Sequence, residues 1–113
     1  ITLLWMHGDA YCFGSALFML ATLLRLAELS SKRDINLNIL SVEYTLAPSA
    51  SFPKQQDEAV AAYKYLIEHE HIDAKNIIVG GDSAGGHLAI ACLVALSQQG
   101  LPRPRAALLV CPW

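Results

Sequence analysis

The chain has 113 residues, 54% of them hydrophobic, with a formal net charge of −2 and three cysteines, Cys12, Cys92 and Cys111. That length allows one small domain at most, and the charge gives no electrostatic reason to expect nucleic acid or an anionic membrane surface as a partner. The odd, scattered cysteines fit neither a disulfide framework nor a zinc site and suit a reduced, intracellular-type chain, while the apolar surplus suits strands buried on both faces of a parallel sheet.

Residues 1–6 read as a strand. Residues 15–30 follow with helical spacing. Within them the apolar run from Ala16 to Leu29 is broken only by a stripe of Thr22, Arg25 and Glu28, which predicts a mostly buried helix with a thin wet face. It is too short and too charged to span a bilayer, so no transmembrane segment is expected. No signal peptide is visible, and the first residue is Ile1 rather than methionine. The natural N-terminus is therefore expected to lie upstream, and nothing beyond the cysteines leans towards the cytoplasm as a compartment.

A second strand is expected over residues 39–44. A helix over 53–69 then carries Ala59, Val60, Tyr63, Leu66 and Ile67 on one face, with Ser51 and Pro53 as its start signal. The apolar run 77–80 reads as an interior strand. Helix 84–98 places Leu88, Ala91, Cys92, Ala95 and Leu96 at helical spacing and is closed by Gly100, and a last strand covers 106–111. Strands alternating with helices predict an α/β fold, a three-layer sandwich around a parallel sheet with right-handed crossovers. Ligands of such sheets sit at the carboxyl ends of the strands, where His7–Tyr11 and Asp82–Ala84 both fall.

The chemistry concentrates in Gly81-Asp82-Ser83-Ala84-Gly85, a G-x-S-x-G pattern between a strand and a helix. A serine becomes a useful nucleophile when a sharp turn exposes it to a base and to oxyanion donors. Gly81 and Gly85 stand where a side chain would collide in such a turn, and Gly86 extends the clearance. Ser83 is thus the candidate nucleophile; the bland alternative is a helix N-cap serine. A nucleotide-binding reading fails on spacing, since no G-x-G-x-x-G and no G-K-[ST] is present. His69 and His71 read as a solvated helix end rather than a metal pair, and no metal or other cofactor is expected. Asp82 and Glu43 read as supports near strand ends, Cys12 as an incidental thiol, and His87 as a packing or surface residue of the helix.

With Gly81–Gly86 as GDSAGG, the chain resembles the hormone-sensitive-lipase-like esterases of the α/β-hydrolase fold. His7-Gly8-Asp9-Ala10-Tyr11 resembles that group's HGGG loop. Val42–Pro48 is similar to its DYRLAP segment, and Cys111-Pro112-Trp113 to its SPW strand end. The four matches come in the family's order and cover nearly the whole chain; within the group, the fungal esterases, steryl-acetate hydrolases among them, look most similar. The resemblance implies a serine hydrolase acting on small carboxylic esters through an acyl-enzyme. Ser83 would be the nucleophile, Gly8, Asp9 and Ala84 the oxyanion-hole donors, and His7, Gly81 and Gly85 supports of the two loops.

Two departures qualify that expectation. Asp9 and Ala10 stand where the family has glycines, which restricts positive-φ backbone and puts a carboxylate beside the oxyanion. Beyond Ser83 the chain holds no Asp or Glu, and His87 is its only histidine there. The family's Ser, acid, His order therefore cannot be completed. Residues 1–113 are accordingly expected to be a partial domain with the central strands, oxyanion loop and nucleophile turn, inactive by themselves. A non-catalytic small-molecule-binding module is the alternative. Oligomeric state is not legible.

Overall fold

The computed structural model describes all of residues 1–113. β1 (Thr2–Met6) is buried along its whole length because its two faces meet different partners. Successive side chains of a strand point to opposite sides. Leu4 and Met6 enter a large core with α2 (Lys54–Glu68) and α3 (Ala84–Gln98), while Leu3 and Trp5 meet Leu23 of α1 (Leu20–Ser31). β2 (Asn38–Val42) and β3 (Ile77–Asp82) flank β1, and β4 (Ala106–Val110) adds to β3, giving the order β2-β1-β3-β4 with every pairing parallel. The expected parallel sheet with an interior Ile77–Gly80 strand is therefore present.

The chain first winds from β1 outward to β2, then crosses back to β3 and on to β4. The helices change face where the direction reverses, as a single crossover handedness requires. That reversal opens a crevice between the carboxyl ends of β1 and β3. The core beneath it is closed by Tyr63, Ile77, Val79, Leu88 and Cys92, each fully buried. Side chains of this size contribute about 1.5–3 kcal/mol apiece on burial. At its far end α3 stops in a Schellman turn: Gly100, at φ +66°, donates to Ser97, and Leu101 donates to Leu96.

Three expectations are corrected. The first helix begins at Leu20 rather than Ser15, because the backbone of Ala16 is claimed from elsewhere. Its N–H donates to the Glu43 carboxylate (2.7 Å) and its carbonyl accepts from the Ser41 hydroxyl (2.6 Å). That helix is also mostly exposed, not mostly buried: only Leu23 is fully covered, while Leu20, Leu24 and Leu29 face solvent. Burial on both faces holds for β1 but not for β4, whose five residues are all exposed at the sheet edge. The Ser51 carbonyl receives the Lys54 N–H at the start of α2.

Candidate active site

β3 ends at Asp82 and α3 begins at Ala84, leaving Ser83 alone at the junction with φ 50° and ψ −119°. A non-glycine residue at such angles is strained and persists only where its surroundings hold it. Here they do. The Ser83 N–H donates to the Val110 carbonyl (2.9 Å), and the Ser83 carbonyl accepts from both His87 and Trp113 N–H groups (3.1 Å each). The residue is exposed.

The turn also needs room. A Cβ on Gly81 would come 2.6 Å from the Met6 carbonyl oxygen, and one on Gly85 would come 2.5 Å from that of His7. Register explains the crowding, since Met6 pairs with Gly81 and the chain beyond β1 passes directly over the serine turn. Gly86 is close-packed as well, its Cβ position lying 3.0 Å from Pro112.

His7 is completely buried, stacked on Tyr44 with ring centroids 4.4 Å apart. Its Nδ1 bonds the Gly8 carbonyl at 2.8 Å, so that nitrogen carries the proton. The Tyr44 hydroxyl in turn donates to the His7 carbonyl at 2.5 Å. Burial, with Tyr11 and the carboxylates of Asp82, Asp9 and Glu43 adding to it, pushes the Tyr44 phenol well above its ordinary range, so it stays a donor. Tyr44 is itself held through its neighbour. Thr45 donates its N–H (2.6 Å) and hydroxyl (2.7 Å) to Glu58, and the buried Gln55 amide donates to the Thr45 carbonyl at 3.0 Å.

Gly8 requires a correction. Its N–H does not face the space above Ser83 but donates to the Asp82 carboxylate at 3.1 Å. The N–H groups of Asp9 and Ala10 make no hydrogen bond within the chain, and Ala84, as first residue of α3, has no helical partner for its own. Asp9, Ala10 and Tyr11 all take positive φ, at 88°, 57° and 63°. The loop thus keeps a glycine-type path through three residues with side chains.

His87 is exposed, and its Nδ1 bonds the Tyr11 hydroxyl at 2.6 Å rather than Ser83. His69 and His71 are exposed at the end of α2, with His69 stacked on Tyr65, and no three His, Cys, Asp or Glu side chains come close enough to hold a metal ion. No helix is long and apolar enough to cross a membrane. Sequence reasoning missed the Asp82–Gly8 and Tyr11–His87 bonds, which join residues 74 and 76 positions apart without a local signal.

The chain is similar to known proteins over nearly its whole length. A family model described as the α/β-hydrolase fold matches residues 3–113. The chain is 35% identical over 112 residues to an acetyl-hydrolase of Streptomyces hygroscopicus, covering 99% of this chain and 36% of that protein. It is 34% identical over 114 residues to the ethyl acetate hydrolase of Pseudomonas putida, covering 97% and 34%. The crystal structure of an esterase from the bacterial hormone-sensitive lipase family superposes with a TM-score of 0.90 at 38% identity, over 99% of this chain and 36% of that one. The chain spans about a third of the length of the curated relatives it matches.

Proposed function

The chain belongs to the α/β-hydrolase fold family, and from that premise we propose that residues 1–113 are the nucleophile-bearing part of a catalytic domain that hydrolyses small carboxylic esters. The observation that carries the reading is Ser83, held at a strained strand-to-helix junction and exposed directly beside a loop with free N–H groups. Its Oγ attacks the acyl carbon, and the ester's carbonyl oxygen becomes an oxyanion received by the N–H groups of Ala84, Asp9 and Ala10; collapse breaks the bond to the alkoxy oxygen, which leaves as the alcohol, and water then hydrolyses the acyl-enzyme. Gly8 leaves the expected donor set and joins His7 as a loop support, because Asp82 holds its N–H. Gly81 and Gly85 make the close approach possible.

The proton leaving Ser83 needs a base. Neither histidine near the site suits that role: His7 is buried with its Nδ1 on Gly8, and His87 is taken by Tyr11. Acid and histidine loops outside residues 1–113 would complete the triad, making this segment a partial domain. The names of the matched relatives point to short acyl groups as the first substrates to try. The test is turnover of p-nitrophenyl acetate by the full-length chain containing this segment. Ser83→Ala is expected to lower kcat about 10⁴-fold or more. Turnover that survives the substitution would overturn the assignment.

A further inference from the structure

Three consecutive residues with side chains, Asp9, Ala10 and Tyr11, follow a left-handed path that glycines would adopt freely. Side chains relax from such a path unless the surroundings fix both ends. The near end is fixed by the His7 imidazole on the Gly8 carbonyl and by Asp82 on the Gly8 N–H. At the far end, Ala47 donates its N–H to the Tyr11 carbonyl at 2.8 Å, and the Tyr11 hydroxyl reaches His87 Nδ1 at 2.6 Å. Between the two anchors lie the unpaired N–H groups of Asp9 and Ala10.

The Tyr11–His87 bond differs from the others in where it leads. His87 sits on the first turn of α3, and its own N–H is bonded to the Ser83 carbonyl at 3.1 Å. A continuous path of two hydrogen bonds therefore runs from the loop, through the side chains of Tyr11 and His87, to the serine. Tyr11 stands edge-on to both Tyr44 and His87, with centroids 6.0 and 5.9 Å away, so its ring has little freedom to swing. Burial raises its phenol to about 12, which keeps the hydroxyl protonated through the neutral range.

We propose that Tyr11 and His87 form a positioning pair whose hydrogen bond holds the Asp9 and Ala10 N–H groups in place relative to Ser83. The pair compensates for side chains on a loop path built for glycine. The proposal rests on the nucleophile reading above. Neither residue touches the reacting atoms; both act through the loop. Losing a whole oxyanion donor costs about 10²–10³ in turnover, so loosening two donors without removing them should cost about tenfold.

The experiment uses the full-length chain and p-nitrophenyl acetate, with active sites counted by a fluorophosphonate titrant. Tyr11→Phe keeps the ring and removes only the hydroxyl; His87→Phe removes the acceptor. Each should lower kcat about tenfold at nearly unchanged KM, since the donors act in the transition state. The double variant should lose no more than either single one. His87→Asn, which offers an amide near the position of Nδ1, should recover most of the loss. In an Asp9→Gly/Ala10→Gly background Tyr11→Phe should cost much less, because the loop then needs no restraint. Unchanged kcat in both single variants, multiplicative losses in the double, or failure of His87→Asn to recover turnover would each overturn the pair. Ser83→Ala separates the two readings: turnover surviving it sinks the nucleophile and the pair together, whereas loss there beside intact Tyr11→Phe and His87→Phe sinks the pair alone.

Discussion

Gly85→Ala is the most severe one-carbon change the serine turn can suffer. The added methyl would sit 2.5 Å from the His7 carbonyl oxygen and nearer still to that of Met6. Both obstacles are backbone: Met6 ends β1 and is pinned by pairing to β2 and β3, and the carbonyl of His7, next along, is held by the Tyr44 hydroxyl, so no side chain can step aside. Overpacking of this kind costs about 3 kcal/mol or more when the neighbours cannot give. Alanine's better helix propensity returns about 1 kcal/mol at this position in α3. The net loss of about 2 kcal/mol corresponds to a fall of about 4 °C in the melting temperature of the full-length chain, of which this segment is a part. Gly100→Ala is the internal control. It too places a methyl on a special backbone, φ +66°, but nothing lies within 4 Å of it, so only the left-handed penalty of about 1 kcal/mol applies. Thermal unfolding followed by circular dichroism reads both variants. Gly85→Ala as mild as Gly100→Ala would refute the close approach of the two loops.

Three further outcomes follow from the same geometry. Asp9→Gly removes a side chain from a φ of +88° and should stabilise the chain by about 0.5–1 kcal/mol, without slowing ester turnover in the full-length protein; a slower or less stable variant would show that Asp9 itself supports the loop. Burial pushes the Glu58 carboxyl up, but two hydrogen bonds from Thr45 and the Lys54 ammonium outweigh it and hold it below the usual carboxylate range. Its contribution to stability is then full above about pH 4.5 and lost as pH falls through the lower folded value. Glu58→Gln should flatten that part of an acid unfolding curve, and an unchanged curve would count against the anchor. Burial also pushes the Cys92 thiol up to about 12, whereas Cys12 and Cys111 are exposed. Iodoacetamide at neutral pH should label the latter two and reach Cys92 only on unfolding, as peptide mass spectrometry can check.

The alternation of β1, α1, β2, α2, β3, α3 and β4 was legible because each element carries its own period. The serine turn was legible because its glycines answer a local steric demand at 81 and 85. The start of α1 was not: Ala16 to Met19 is apolar enough to be helix, and what holds it out is a carboxylate and a hydroxyl from Glu43 and Ser41, on another part of the chain. The exposure of α1 and β4 was hidden for a related reason, since apolar spacing says which face seeks cover but not whether cover is within reach. Within the site, Ser83 and the His7 loop could be found from motifs. The diversion of the Gly8 N–H to Asp82 could not, because a donor's availability depends on which acceptor the strand register brings beside it. The partnership of Tyr11 with His87 has the same origin.

Covalent mapping tests Ser83 as the nucleophile most directly, because it does not depend on which ester the protein prefers. The full-length chain is treated with a fluorophosphonate, digested, and sequenced by tandem mass spectrometry. A single phosphonylated residue, Ser83, is expected, with labelling abolished in Ser83→Ala and in denatured protein. An adduct on any other residue, or ester turnover that persists in Ser83→Ala, would contradict it.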